Sequence, residues 1–327
     1  MRSRATAITG VLATGLLLVG CSAPLPEPEP EAAPAVPPPA LTATQVERIL
    51  ADVTAVVAEG DEAYDAELLG PRVAGPALDL RTAQYAEVEA GDEGAVTDIP
   101  AGTQTVVVPS TTQWPRTVMA VTEAPEDLRA PLLVTLVQDG PRAQFELWSW
   151  VRLFPGAQMP PTNQPELGSA EVDPETLLLA PEAVIEGYVS LLDGDAEGEA
   201  AQVFAEEDDP LRAQIAAVRA GYEGLVVDKG TLTETYEPGA DGVQVIGTAE
   251  GGAIVVGSVR TSTTITLEDS TVNLGGETAA LLGQEVVAEN LAIDWTSTVA
   301  FAVPPAGSEE PVQVLGAEHT LTEVTGE

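Results

Sequence analysis

APEAVIEGYVSLLDGDAEGEAAQVF, Ala180–Phe204, is the stretch that decides the architecture. Val184, Ile185, Tyr188, Leu191 and Leu192 recur at helical spacing and define one apolar face. Pro181 suits a first helical turn, where its missing N–H removes no bond. Asp193-Gly194-Asp195 then supplies a stop and a restart: glycine accepts the left-handed conformation that ends a helix, and aspartate caps the next one. The pattern predicts a helix, a sharp break and a second helix. TATQVERILADVTAVVAEGDEAYDAELL, Thr42–Leu69, repeats it. Val46, Ile49, Leu50, Val53, Val56 and Val57 form the face, Thr42 or Thr44 is the cap, and Glu59-Gly60-Asp61 is the matching break.

Further helical sequence follows in each half. Leu78, Leu80, Arg81 and Tyr85 lie in PALDLRTAQYAEVEA, and Leu211, Ile215, Val218, Arg219 and Tyr222 in PLRAQIAAVRAGYEGL. An arginine precedes a tyrosine by about one turn in both. Strand-like runs come next. The first half has TQTVVVP, RTVMAVTE, PLLVTLVQ and AQFELWSWVRLF, the last two joined by a QDGPR turn. The second has LVVDKGTLTETYE, DGVQVIGTAE, GAIVVGSVRTSTTITLE, LAIDWTSTVAFAV and PVQVLGAEHTLTEV. Pro238–Gly242 and Gly251-Gly252 read as breaks, and 275–290 as a short helix or loop.

Helices followed by antiparallel strands, twice over, predict an α+β chain of two tandem domains. They span 41–158 and 175–327, with a Pro-rich linker over 159–174. Helix, Gly-Asp break, helix and curved sheet resemble the NTF2-like (cystatin-like) superfamily, most clearly over Glu182–Glu206. That resemblance implies helices packed on a curved antiparallel sheet. QWPRTVMAV, FELWSWVRLFPGAQMP and EGGAIVVGSVRTSTTIT, with the N-terminal features below, also resemble a family of uncharacterised actinobacterial lipoproteins. This second resemblance implies a location and an architecture, and carries no activity.

The N-terminus has the order of an export signal over 1–20. Arg2 and Arg4 precede Ala5–Gly20, an uncharged run of 16 residues, short of the ~20 that a membrane-spanning helix needs. Leu18-Val19-Gly20-Cys21 resembles a bacterial lipobox. It implies cleavage before Cys21 and a diacylglyceryl thioether on its sulfur, anchoring the chain to the outer face of the cytoplasmic membrane. Residues 21–40 then read as a lipidated cysteine and tether. Its prolines favour extended polyproline II, and Glu27, Glu29 and Glu31 repel one another. At ~3.1 Å per residue, Pro24–Ala40 spans on the order of 50 Å.

Charge narrows the partners. Against 52 Asp+Glu stand 13 Lys+Arg, a formal charge of −39. Loss of Arg2 and Arg4 leaves 11 basic residues and −41. Such a field repels nucleic acid, so no nucleic-acid partner is expected. A hydrophobic content of 44% supports packed cores. The single cysteine excludes an internal disulfide framework.

Few residue sets point to chemistry. His319 is the one histidine, on a strand where alternation places it beside Leu315, Ala317 and Leu321. Its functional reading is a general base, with Asp294 the second catalytic candidate. Zinc-type clusters are absent from the sequence, and DGDAEG, Asp193–Gly198, starts like a calcium loop but has Phe204 at the twelfth position, where a glutamate is required. No metal and no cofactor is expected. In FELWSWVRLF, strand alternation puts Trp148 and Trp150 on one face, a candidate ligand or docking surface with Trp295 its counterpart. The reading that fits best is a membrane-anchored protein that binds an envelope protein or small ligand without catalysis. An envelope enzyme using a carboxylate/His319 pocket, or a structural spacer, remains the alternative.

Overall fold

Thr42 starts the first helix of the computed structural model. Its side chain caps the Gln45 N–H, and Gln45 returns a bond to the Thr42 backbone, which satisfies two otherwise orphaned donors. The structure describes residues 37–125, 129–195, 197–205 and 209–326. The expected signal, the lipobox with Cys21, and the tether through residue 36 lie outside the described residues. Ala40 is already seated on the fold, donating its N–H to the Pro109 carbonyl at 2.8 Å.

In the first half, α1 (Ala43–Ala63) and α2 (Pro76–Glu89) precede β1 (Thr103–Val107), β2 (Arg116–Thr122), β3 (Leu132–Gln138) and β4 (Glu146–Leu153). The second half opens with α3 (Pro181–Leu192), α4 (Glu199–Val203) and α5 (Pro210–Val226). It continues with β5 (Gly230–Gly247), β6 (Ala253–Leu267), β7 (Val272–Asn273), α6 (Gly276–Leu282), β8 (Val286–Val287), β9 (Asn290–Val303) and β10 (Gln313–Gly326). The chain is thus α+β, its helices packed on a strongly curled antiparallel sheet. Among the described residues no helix is long and apolar enough to cross a membrane.

Eight strands run in the order β1-β2-β3-β4-β10-β9-β6-β5, so strands from both halves share one sheet. The junction is short: β10 pairs with β4 only at Gly316–Leu153 and Ala317–Arg152. Past that point β10 stays paired with β9 as far as Gly326, while α2 and α6 pack against it.

Three of the four main cores follow from this arrangement. Val46, Leu50, Val53 and Val57 of α1 meet Leu80, Leu147 and Trp150 in the first half. Val184, Ile185 and Tyr188 of α3 meet Phe204 and Phe301 in the second. Met119, Leu133, Trp148 and Val151 join Ile254, Val256 and Leu315 in a third, built from both halves. Each such buried apolar side chain contributes roughly 1.5–3 kcal/mol.

Local structure departs from the sequence pattern at several points. Glu59-Gly60-Asp61 does not break α1, which runs through to Ala63 and ends on Tyr64 in the left-handed conformation. Gly60 is there for space: a Cβ on it would lie 2.5 Å from Leu69 Cδ2 and 2.8 Å from the Tyr85 hydroxyl. In α4 the N-cap is Gly198 rather than Asp195. Pro238–Gly242 is an irregularity inside β5, whose pairing with β6 resumes at Val243. A bulge in β4 leaves Trp148 unmatched between Leu147–Leu136 and Ser149–Thr135. Trp148 and Trp150 therefore do not share a face: Trp148 enters the core common to both halves, and Trp150 the first-half core with Leu147.

Candidate functional site

Four strands of the second half bring polar and aromatic side chains to one face. Tyr236 of β5 pairs with Thr261 of β6, which pairs with Trp295 of β9. Glu234 lies opposite Thr263, and Ser297 opposite His319 of β10. Directly opposed residues project to the same side, here the side covered by α3 and α5. Ala317 and Leu321 share that side with His319. A register shift between Val314 and Gly316 turns Leu315 into the core on the opposite face, against the simple alternation.

The His319 ring stacks on Trp295, centroids 4.6 Å apart and planes 6° from parallel. Its Nδ1 is 2.8 Å from Ser297 Oγ. Burial pushes its pKa down to about 4, so the ring is neutral at physiological pH. On β5 the Glu234 side chain is 2% exposed. It accepts hydrogen bonds from the hydroxyl of Tyr236 and from Thr263 Oγ1 at 2.9 Å, with Arg219 3.8 Å away. Burial first, and then the bond to Glu234, push the Tyr236 hydroxyl upward, so it stays a protonated donor. Thr261 Oγ1 is buried with no hydrogen-bond partner among the described residues.

Asp294 is placed elsewhere. It neighbours Trp295 on β9 and so projects to the opposite face, where it accepts from Ser262 Oγ at 2.5 Å and pairs with Arg260 at 2.9 Å. The two catalytic candidates, His319 and Asp294, are not brought together.

On the α3–α5 side lies a cleft of about 790 Å³. Phe154, Tyr188, Phe204 and Val314 wall it, and Asp209 and Arg212 stand at its edge. Asp209 caps α5 through the Arg212 N–H at 3.1 Å and accepts the Tyr188 hydroxyl at 2.8 Å. Burial, and then the charge of Asp209, push that hydroxyl's pKa up. A second cleft of about 350 Å³ continues past Asp209 and Arg212 to Arg219 and Tyr236. Asp209 and Arg212 thus belong to both clefts, and the second reaches Tyr236 at the edge of the Glu234 cluster.

The matching arginine–tyrosine spacing has different outcomes in the two halves. Arg81 is 1% exposed, lies 5.0 Å from the Trp150 ring centroid, and donates to Gln84 and to the Thr97 carbonyl. Tyr85 donates to Asp61 at 2.6 Å. Arg219 sits half-exposed between Glu223 and Glu234, and Tyr222 bonds Thr278 at 3.1 Å. Among the described residues no group of three acidic, histidine or cysteine side chains is placed to hold a metal. Sequence reasoning passed over Glu234, Tyr236 and Asp209, although signals for them exist: alternation in TLTETYE aligns Glu234 with Tyr236, and Asp209-Pro210 is a helix-start pair.

Residues 37–326 match the family described as a domain of unknown function, DUF8094. The chain belongs to this family. No curated protein matches the chain, and neither does any solved structure. The DUF8094 match runs from ahead of α1 to the end of β10, so the shared sheet, the Tyr188–Asp209 cleft and the His319–Trp295 stack all lie within it.

Proposed function

We propose that this DUF8094 chain is an exported lipoprotein, held by a diacylglyceryl group on Cys21 to the outer face of the cytoplasmic membrane, that binds a small ligand without transforming it. Its two halves are read as tandem NTF2-like units, the second carrying the binding surface. The lipobox, the short apolar run and the Pro/Glu-rich tether support the location, as does the resemblance to actinobacterial lipoproteins. The observation that carries the binding reading is the cleft of about 790 Å³ with Phe154, Tyr188 and Phe204 in its wall.

The cleft's chemistry names a ligand class. Asp209 is already engaged by Tyr188 and by the α5 backbone. Arg212 is the cation in a mixed wall that carries Asp209, Gln158 and Gln313 beside Phe154 and Val314, on a strongly acidic protein. That combination suits a small, partly apolar molecule with a carboxylate or phosphate group. The non-catalytic reading rests on the separation of Asp294 from His319 and on the neutral, stacked, hydrogen-bonded state of His319.

Native mass spectrometry and calorimetry of the full chain with aryl and alkyl carboxylates and phosphates test this. Wild type should bind a subset of them, and Arg212→Met should lose that binding while keeping its melting temperature. Equal binding by Arg212→Met, or no binding by wild type, overturns the assignment.

A further inference from the structure

The segment that packs beside the His319–Trp295 stack is α6, a short element with a positive-φ glycine at each end. It has seven residues. Gly276 and Gly283 bracket it with φ of +58° and +74°, a backbone that side chains resist and that lets a short element pivot. On its inner side Ala279, Leu281 and Leu282 share an apolar cluster with Tyr222, Leu321 and Trp295. A hydrogen bond of 3.1 Å joins Thr278 Oγ1 to the Tyr222 hydroxyl. On its outer side Glu277 faces Glu87 and Asp92 across a cleft of about 340 Å³.

Glu87 is the unusual member. It is 8% exposed, on α2, in a cluster of acidic groups. Asp92 faces it from the turn after its own helix, Glu277 from α6 and Glu318 from β10. The backbone N–H of Leu321 bonds it and partly offsets these charges. Glu318 is itself held in place by Thr97 Oγ1 at 2.6 Å.

We propose that α6 is a clasp over the Trp295 end of the binding face, closed while Glu87 carries a proton and loosened when Glu87 is ionised. An ionised Glu87 sets like charges against one another across the α2–α6 cleft in a poorly solvated place. The boundary proposed to yield is α6, a seven-residue element held by the Thr278–Tyr222 hydroxyl pair and by its apolar cluster with Leu321 and Trp295. Burial first, then Glu277 and Asp92, raise the Glu87 pKa from 4.5 to about 7. The sign follows from linkage: the closed form holds a proton that an open form releases between about 4.5 and 7, so closure weakens as pH rises through that window. Loosening α6 exposes Trp295, so the clasp regulates the proposed binding face and rests on that reading for its purpose, though not for its motion.

Hydrogen exchange read by mass spectrometry on the full chain, over a peptide covering 275–287, tests the clasp. Rates at pH 5.5, 7 and 8.5 are corrected for intrinsic base-catalysed exchange. Wild-type protection should fall by about tenfold or more across the series, one decade for each pH unit over which a single proton is released. Glu87→Gln should hold protection high and level. Glu277→Gln, which removes one of the facing charges that raise the Glu87 pKa, should move the end of the fall to lower pH and make it smaller. Level protection in wild type, or an unchanged fall in Glu87→Gln, overturns the clasp. Ligand binding is measured separately at pH 8.5, where the clasp is open: binding with a pH-independent α6 defeats the clasp alone, and a pH-dependent α6 without ligand binding at that pH defeats the binding reading alone.

Discussion

Taking the hydroxyl from Tyr188 and the carboxylate from Asp209, singly and together, probes how the cleft is held. Tyr188 is fully buried and its hydroxyl donates to Asp209 Oδ2 at 2.8 Å. A hydrogen bond to a charged group is worth about 1.5–3 kcal/mol. Tyr188→Phe leaves Asp209 half-buried, reaching water and still capping α5, so the expected cost is near the low end, about 1.5 kcal/mol. Asp209→Ala does two things. It removes an N-cap, at about 1 kcal/mol, and it strands a buried phenol hydroxyl, at about 1–3 kcal/mol. The double variant loses the cap and the bond but strands nothing, so its cost should fall short of the summed single costs by about 1–2 kcal/mol. Urea titrations at pH 7 followed by far-UV circular dichroism measure all four proteins. Costs that add to within about 0.5 kcal/mol would refute the reasoning, because unconnected sites add in that way.

Other outcomes follow from the same geometry. Lowering the pH from 6.5 towards 4 should cost wild type stability that His319→Gln retains: the folded state disfavours the imidazolium while the unfolded chain accepts it, for at most about 3 kcal/mol. Denaturant titrations at pH 7 and pH 4.5 on both proteins check this, and a parallel acid loss in the variant contradicts it. Gly75→Ala should cost about 2–4 kcal/mol, because Gly75 has φ +56° and a Cβ there would lie 2.8 Å from Trp148 Nε1. The control is Gly91→Ala, at φ +111° with open space around it. It should cost only the backbone part, about 1–2 kcal/mol, and thermal melts compare the pair.

What was legible in the sequence was local. Pro181, the apolar face of α3 and the Gly194 break all act within a few residues, and α3 buries Val184, Ile185, Tyr188 and Leu191 as its spacing implies. Gly60 misled because glycine marks a helix end in sequence, while here the reason for it is the Leu69 and Tyr85 side chains pressed against α1. The Trp148–Trp150 pair misled for a similar reason. A bulge is set by pairing with β3, and one extra residue reverses every side chain beyond it. His319 could be placed on a strand, but its stack on Trp295 depends on the register of β9 with β10. Glu234 and Asp209 were legible as a strand residue and a cap. Their partners, Thr263 and Tyr188, lie 29 and 21 positions away in the chain.

The central proposal about location is that the folded chain stands off a membrane on a lipid. Metabolic labelling with an alkyne fatty acid, followed by click detection and intact mass of the purified chain, tests it directly. Wild type should carry label and the mass of a diacylglyceryl-modified chain beginning at Cys21, and Cys21→Ala should carry neither. Equal labelling of the two proteins, or an unlabelled wild type that still begins at Met1, would contradict it.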